Sequence, residues 1–180
     1  MRRSLVIHPD SRSSAVERIE VEVSRPEPKV LRLHYSLRGS ISDIAVPTAP
    51  REAPLRVDGL WNHTCFEAFI APAGEPGYLE FNFSPAIQFA AYAFDSYRQG
   101  MRPLAVEPHL GCLNDGGFFL KLDGYIEAPF VSAPMRMGLA AIVEEKGGGK
   151  SYWALKHPPG KPDFHHADGF ILDLPYAEQT

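Results

Sequence analysis

The sequence predicts an all-β protein, a two-sheet antiparallel β-sandwich or jelly roll of about ten strands. Apolar and polar residues alternate along several short stretches, as they do in strands with one face in a core. The chain contains 17 prolines, which interrupt helices. No window of about 12 residues keeps a helical repeat, which argues against alternating strands and helices.

The predicted strands follow one another with turn residues between them. Alternation is clearest at 19–23, 31–37 and 78–84. Less regular patterns predict further strands at 65–71, 87–94, 104–110, 117–127, 136–144, 151–157 and 169–174. Turns are expected at 26–28, 74–77, 114–117 and 147–149, all rich in Gly, Pro, Asn or Asp. The Pro-containing stretch 45–60 is predicted to be a long surface loop, a kind of loop that is often functional.

Size and charge suit one domain, expected to span residues 1–180. The formal net charge is −4 and no basic run exceeds Arg2-Arg3, which argues against a nucleic-acid partner. No apolar stretch is long enough for a signal peptide or a membrane helix, so we expect a cytoplasmic protein without a membrane partner. Cys65 and Cys112 fit neither a disulfide framework nor a zinc pattern and are expected to be buried free thiols.

The Gly147–Lys150 segment is expected to be a hairpin turn. It looks like the end of a phosphate-binding loop, but Glu144 stands where the loop motif needs its first glycine. A strand pattern, not a helix, follows it.

Residues 58–102 carry three successive segments, DGLWNHTCFEAFI, GYLEFNFSP and AYAFDSYRQGMR, and residues 153–166 read WALKHPPGKPDFHH. This combination resembles bacterial DOMON-like domains, which are related to family 9 carbohydrate-binding modules. The resemblance implies a β-sandwich with a ligand site on one sheet or at its edge. Relatives use that site for sugars or for haem.

The first candidate site lies on the predicted strands 65–71 and 78–84. Alternation buries Phe66, Phe81 and Phe83 on one face and places Glu67, Glu80 and Asn82 on the other, together if the strands are neighbours. Carboxylates and amides bind sugar hydroxyls, and aromatic rings pack on the apolar face of a pyranose. The candidate platforms are Trp61, Tyr92 and Trp153. Two alternatives are a solvated face for the polar trio and an end plug of the sandwich for Trp61.

The second candidate site is a Pro- and Gly-rich loop that contains Lys156, His157, Asp163, His165 and His166. We expect Asp163 and the histidines to form a hydrogen-bonded clamp, because adjacent histidines point to opposite sides of an extended chain and cannot easily share a metal ion. Ligand contact through His157 or His165, and a metal site, are the alternatives.

A third group, Asp95-Ser96-Tyr97-Arg98, mixes an acid, a base and hydroxyls after a strand. An ion pair between Asp95 and Arg98 within a turn is the simplest interpretation. The alternative is recognition of a ligand by Arg98.

These observations favour a non-catalytic domain that binds a small ligand, with a sugar as the expected ligand and no cofactor. No nucleophile elbow or zinc-protease motif is present, although this does not exclude an enzyme. One alternative is a haem-binding domain that uses Met101, Met135, Met137 or His63 as axial ligand. A glycan hydrolase or lyase that uses paired carboxylates is another. The sequence leaves protein partners open.

Overall fold

The computed structural model describes residues 1–27, 29–47, 54–117, 119–127 and 134–174. Fourteen strands lie within these residues, and five of them are only two or three residues long. They are β1 (Arg2–Ser4), β2 (Val6–Ile7), β3 (Val16–Glu27), β4 (Val30–Gly39), β5 (Leu55–Arg56), β6 (Cys65–Pro72), β7 (Tyr78–Ser84), β8 (Gln88–Phe94), β9 (Arg102–Pro103), β10 (His109–Asn114), β11 (Phe119–Glu127), β12 (Met135–Glu144), β13 (Lys150–Ala154) and β14 (Leu172–Leu174).

The described residues contain three short 3₁₀ helices, at Ile41–Asp43, Leu60–Asn62 and Ala167–Gly169. None of the three approaches the length and apolar character of a membrane-crossing helix.

The strands form two sheets. The smaller sheet has the order β1-β3-β4-β11-β10. The larger has the order β2-β13-β12-β6-β7-β8-β5, with β14 paired to β12 and β9 paired to β8. Within the described residues every strand pair is antiparallel except β5 with β8. The predicted all-β antiparallel architecture is therefore confirmed.

The main core lies between the two sheets. Phe66, Phe81 and Phe83 of the larger sheet are fully buried there, as their alternation predicts. Tyr35 of β4 packs its ring 5.1 Å from that of Phe66 and donates a hydrogen bond of 2.8 Å to the carbonyl of Glu67. This bond joins the two sheets directly beneath the strand that carries Glu67.

Several local predictions are corrected by the structure. No strand occupies 104–108, and β10 begins only at His109. The stretch 45–60 contains β5 and the start of a 3₁₀ helix, although 48–53, with Pro50, lie outside the described residues. Pro28 of one predicted turn and Phe118 of one predicted strand lie outside them too. The hairpin turn at 147–149 is confirmed between β12 and β13.

Candidate functional site

The outer face of the larger sheet carries a second, smaller apolar cluster. Because side chains alternate along a strand, burial of the three phenylalanines in the main core turns Glu67, Glu80 and Asn82 to this outer face. The strands β6 and β7 are neighbours, with Glu67 opposite Asn82 and Glu80 opposite Phe69. We call Glu67, Glu80 and Asn82 the polar floor.

Small residues flank the polar floor in the same row of the sheet. Ala140 of β12 pairs with Glu67, and Ala90 of β8 pairs with Asn82. Both alanines are buried. Their methyl groups are short, so the sheet surface is low on both sides of the polar floor, and longer side chains from the surrounding loops can close over it.

Loops cover this face at 57–64, 95–101 and 155–171. The last is seated by Phe170, whose ring stacks 5.9 Å from that of Phe69. Gly138 makes room for it, because a Cβ there would lie 2.7 Å from the Phe170 ring. Between the loops and the floor lies a cavity of about 360 Å³, within the usual range for small-ligand sites. Its lining residues are Trp61, Glu67, Glu80, Phe94, Arg98, Met101, Ile142, Tyr152, Pro162, Phe164 and His165.

The polar floor is buried, not a solvated sheet face. The exposed fractions of Glu67, Glu80 and Asn82 are 2%, 4% and 0%. The Asn82 amide donates a 2.7 Å hydrogen bond to Glu80 Oε1. Within the described residues, Glu67 Oε1 and Asn82 Oδ1 are buried and have no hydrogen-bond partner. Of these two unsatisfied acceptors, Glu67 Oε1 belongs to a residue that lines the cavity, and Asn82 lies beside Glu67 on the neighbouring strand.

Both carboxyl groups bind protons more tightly than exposed ones. Burial, and next the charge of Glu80, raise the pKa of Glu67 well above its usual value. Burial also raises the pKa of Glu80, although the hydrogen bond from Asn82 and the charge of Arg98 oppose it. These shifts follow from taking two carboxylates out of water side by side.

His165 reaches the cavity from the C-terminal loop and is held by Tyr78. Its Nδ1 lies 2.7 Å from the Tyr78 hydroxyl, which itself accepts the backbone N–H of Arg98 at 3.2 Å. When the hydroxyl donates its proton to Nδ1, the hydrogen of the neutral ring is on Nε2. Burial, and next the charge of Arg98, lower the pKa of His165 to about 4. His165 is therefore a neutral ring whose Nε2 lies 3.9 Å from Glu80 Oε2.

The expected Asp95–Arg98 ion pair is wrong. Arg98 instead pairs with Asp163 across two loops, at 2.8 Å, and Asp95 pairs with Arg102. Arg98 has a left-handed φ of +55°, and its backbone N–H donates a hydrogen bond to the Tyr78 hydroxyl. This conformation directs the side chain toward the C-terminal loop and away from its sequence neighbour.

Asp163 is the centre of the C-terminal clamp. It accepts hydrogen bonds from the Tyr97 hydroxyl at 2.5 Å, from Arg98 and from the backbone N–H of His165 at 3.1 Å. Burial by itself would raise the pKa of Asp163, but the hydrogen bonds from Tyr97 and Arg98 lower it. The predicted clamp therefore forms through loop 95–101 and not through histidine rings.

The two adjacent histidines do diverge. His165 enters the cavity, whereas His166 is exposed and accepts the backbone N–H of Asp168 on Nδ1 at 3.2 Å. Within the described part of the chain no three His, Cys, Asp or Glu side chains come together as metal ligands.

Trp61 stands at the rim of the cavity with 38% of its surface exposed. Its ring meets Tyr92 edge-on at 6.0 Å, and the Tyr92 hydroxyl donates a 2.7 Å hydrogen bond to Asp58. Tyr92 is itself buried and does not line the cavity. It supports Trp61 and is not a platform.

Two other predicted site residues lie elsewhere. Trp153 is buried in the main core, where its indole N–H donates to Ser151 at 2.9 Å. His157 donates from Nε2 to the carbonyl of Val6 at 2.9 Å and packs edge-on against His8. Neither side chain lines the cavity. Trp153 points from β13 into the main core, and His157 follows β13 and contacts Val6 and His8.

Five lining residues were not among the candidates from the sequence: Phe94, Ile142, Tyr152, Pro162 and Phe164. The alternation of side chains along their strands could have identified Phe94 and Tyr152. Phe94 has the same strand parity as Tyr92, and Tyr152 has the opposite parity to Trp153, which faces the core. Pro162 and Phe164 come from a loop whose path carries no periodic signal.

The haem ligands considered from the sequence are scattered. Met101 lines the cavity, whereas Met135 and Met137 are buried in the main core. His63 is exposed and pairs with Glu144 at 2.8 Å. Cys65 is buried, as expected, but Cys112 is only half-buried.

Together the fold and the cavity define a β-sandwich with a ligand-sized cavity on the outer face of its larger sheet. No model of a known protein family matches the chain, and no curated protein matches its sequence. A solved structure from Bacteroides uniformis, named as that of a "putative carbohydrate-binding protein", has a TM-score of 0.69 and 14% identity over 95% of this chain and 84% of that one. This likeness shows a shared fold.

Two structures of a family 9 carbohydrate-binding module from Caldicellulosiruptor kristjanssonii match less well. The complex with cellotriose has a TM-score of 0.49 and 8% identity, over 84% of this chain and 70% of that one. The complex with glucose has a TM-score of 0.48 and 8% identity, over 84% and 72%. At this level the similarity carries no argument about the site.

Proposed function

We propose that the protein is a non-catalytic, DOMON-like carbohydrate-binding domain, and that its sugar occupies the cavity above the polar floor. A pyranose needs an apolar surface for its ring and fixed hydrogen-bonding groups for its hydroxyls. The cavity offers both: Trp61 is exposed at the rim, and Glu67, Glu80 and His165 lie inside.

The observation that carries this proposal is the unsatisfied acceptor Glu67 Oε1, on a carboxyl group that lines the cavity. Glu67 Oε1 and Asn82 Oδ1 have no donor among the described residues, and a buried acceptor without a donor costs about 1–3 kcal/mol. A ligand in the cavity that brings a hydroxyl donor to Glu67 Oε1 recovers that free energy at this atom. A purely apolar ligand would leave both acceptors unsatisfied.

The groups that would orient the sugar are already fixed. His165 is held by Tyr78, and Arg98 is held by Asp163, so neither side chain needs to be ordered when the ligand binds. Pre-ordered side chains lower the entropic cost of binding. The named function of the Bacteroides uniformis protein with the same fold agrees with this proposal.

A binding role fits the carboxyl groups better than glycan hydrolysis does. Hydrolysis needs one carboxyl group to protonate the leaving oxygen and a second to attack, or to activate water, beside the same bond. Glu67 and Glu80 lie on neighbouring strands and on the same face of the sheet. Glu80 Oε1 already accepts a hydrogen bond from the Asn82 amide. Incubation with each bound glycan, followed by NMR of the products, tests for hydrolysis.

Calorimetry, after a glycan array has identified a ligand, tests the proposal. We expect dissociation constants on the order of micromolar to millimolar, about −4 to −8 kcal/mol, for the wild type. Trp61→Ala should weaken binding of every sugar, and Glu80→Gln should mainly change which sugar is preferred. Tyr125→Ala, a matched aromatic deletion on the outer face of the smaller sheet, should leave binding unchanged. Absence of any glycan ligand would refute the proposal.

A further inference from the structure

The buried carboxyl groups of the cavity have no unpaired cationic side chain beside them among the described residues. Arg98 lines it, but its guanidinium group is paired with Asp163 at 2.8 Å. His165 is neutral near pH 7, because burial and the charge of Arg98 lower its pKa to about 4. Among the described residues, no lysine or arginine pairs with Glu67 or Glu80. The cavity therefore holds two buried carboxyl groups and no free cation.

Three acceptor oxygens of the polar floor lack a donor within hydrogen-bond distance among the described residues, and two of them belong to carboxyl groups that line the cavity. Glu67 Oε1 and Asn82 Oδ1 have no partner within the described structure. Glu80 Oε2 is 3.9 Å from His165 Nε2, beyond hydrogen-bond distance. Glu67 and Asn82 lie directly opposite each other, and Glu80 is two residues before Asn82 on the same strand face. A protonated primary amine presents three N–H donors and one positive charge.

The walls of the cavity also suit a cation. The rings of Trp61, Phe94, Tyr152 and Phe164 line it. The faces of aromatic rings attract ammonium groups, most strongly where water is excluded. Aromatic walls over a carboxylate floor favour a cationic ligand over a neutral one, and they disfavour an anionic one.

We propose that the cavity prefers an amino sugar, whose ammonium group lies on the polar floor between Glu67 and Glu80 while its ring packs beneath Trp61. This inference rests on the proposed carbohydrate function and names the class of sugar. The two carboxyl groups that line the cavity accept N–H groups of the ammonium, and its positive charge compensates them.

Calorimetric titration of the wild type with glucosamine, glucose and N-acetylglucosamine at pH 6.5 tests the inference. The three sugars share a ring, and only glucosamine carries a charge. A charged hydrogen bond is worth about 1.5–3 kcal/mol, so glucosamine should bind about ten- to a hundredfold more tightly than glucose. Equal affinities would overturn the inference and leave the carbohydrate function standing.

The number of protons released or taken up when the sugar binds provides an independent test. The groups that face Glu67 are Cys65 on its own strand, Glu80 on β7, Tyr35 from the smaller sheet, and Arg98 and His165 from the loops. An ammonium group favours the ionised carboxylate, so glucosamine binding should release protons, seen as a heat that depends on the ionisation enthalpy of the buffer. Its affinity should fall as the pH drops through the raised carboxyl pKa values. Proton uptake, or no exchange of protons, would contradict the inference.

Variants locate the ammonium group. Glu67→Gln and Glu80→Gln should each reduce the preference for glucosamine over glucose by about tenfold, and Glu22→Gln, on the exposed face of the smaller sheet, should not change it. Cyclohexylammonium serves as an amine without hydroxyls. If it binds and no sugar does, both the amino-sugar inference and the carbohydrate function are wrong. Tight binding of Ca²⁺ with no preference for glucosamine would replace the amine by a metal ion and overturn the inference.

Discussion

The buried carboxyl group of Glu67 makes the stability of the ligand-free protein depend on pH, and Glu67→Gln tests this. Glu67 is 2% exposed, has an unpartnered oxygen and faces the charge of Glu80. Glutamine has the same shape and cannot ionise. Its amide can donate to Asn82 Oδ1, which lies directly opposite and lacks a partner in the described structure.

The sign of the effect follows from the raised pKa. The folded protein holds the Glu67 proton more tightly than the unfolded chain does, so the stabilisation is complete below the unfolded pKa of about 4.3. It is lost as the pH rises through the folded pKa. The wild type should therefore lose stability relative to Glu67→Gln as the pH increases.

The magnitude can be bounded from the structure. Relieving one unsatisfied buried polar group contributes about 1–3 kcal/mol. For a protein of 180 residues, each kcal/mol moves Tm by about 2–4 °C. We expect Glu67→Gln to raise Tm at pH 8 by about 2–12 °C, with the difference shrinking toward pH 4.

Thermal unfolding of both proteins between pH 4 and pH 8, followed by circular dichroism, measures this difference. Glu22→Gln is the control, since that side chain is exposed. A difference between wild type and Glu67→Gln that does not change with pH would refute the reasoning. So would a variant less stable than the wild type at pH 8.

Three further predictions concern the frame around the cavity. Gly39→Ala should lower the free energy of unfolding in urea by about 3 kcal/mol or more, because φ is +148° and the new Cβ would lie 1.9 Å from the Ala15 carbonyl oxygen. Gly74→Ala is the control, with open space around the new Cβ, and should cost about 1 kcal/mol. Equal costs for the two variants would contradict this prediction. Asp163→Asn should lower the free energy of unfolding by about 1 kcal/mol at pH 7. The difference from the wild type should vanish as the pH falls through the lowered pKa of Asp163, because the ionised carboxylate stabilises the fold fully only above the unfolded pKa. A difference that stays constant with pH would contradict this prediction. The C-terminal loop should hold no zinc by elemental analysis after dialysis, and stoichiometric zinc that is lost in His165→Ala would show the clamp interpretation to be wrong.

The sandwich and the polar floor could be predicted from the sequence because both depend on local alternation. Phe66, Phe81 and Phe83 repeat every second residue on neighbouring strands, which assigns the core face and, by parity, the opposite face with Glu67, Glu80 and Asn82. The same parity argument also holds for β13. It would have exchanged Trp153, which is in the core, for Tyr152, which lines the cavity.

The roof of the cavity could not be predicted, because it depends on contacts between residues far apart in sequence. Asp95 is three residues from Arg98, but the partner of Arg98 is Asp163. Tyr78 holds His165 across 87 residues. Proximity in sequence favoured the wrong ion pair, and no periodic pattern identifies which loop covers which strand.

The fluorescence of Trp61 tests the central claim most directly. The chain has two tryptophans: Trp61 is 38% exposed at the rim of the cavity, and Trp153 is 6% exposed in the core. The variant Trp153→Phe keeps an aromatic ring in the core and leaves Trp61 as the reporter. Titration with a glycan found by the array should shift the Trp61 emission to shorter wavelength with saturation, and protect it from quenching by acrylamide. Glycan binding seen by calorimetry without any change at Trp61 would contradict the account.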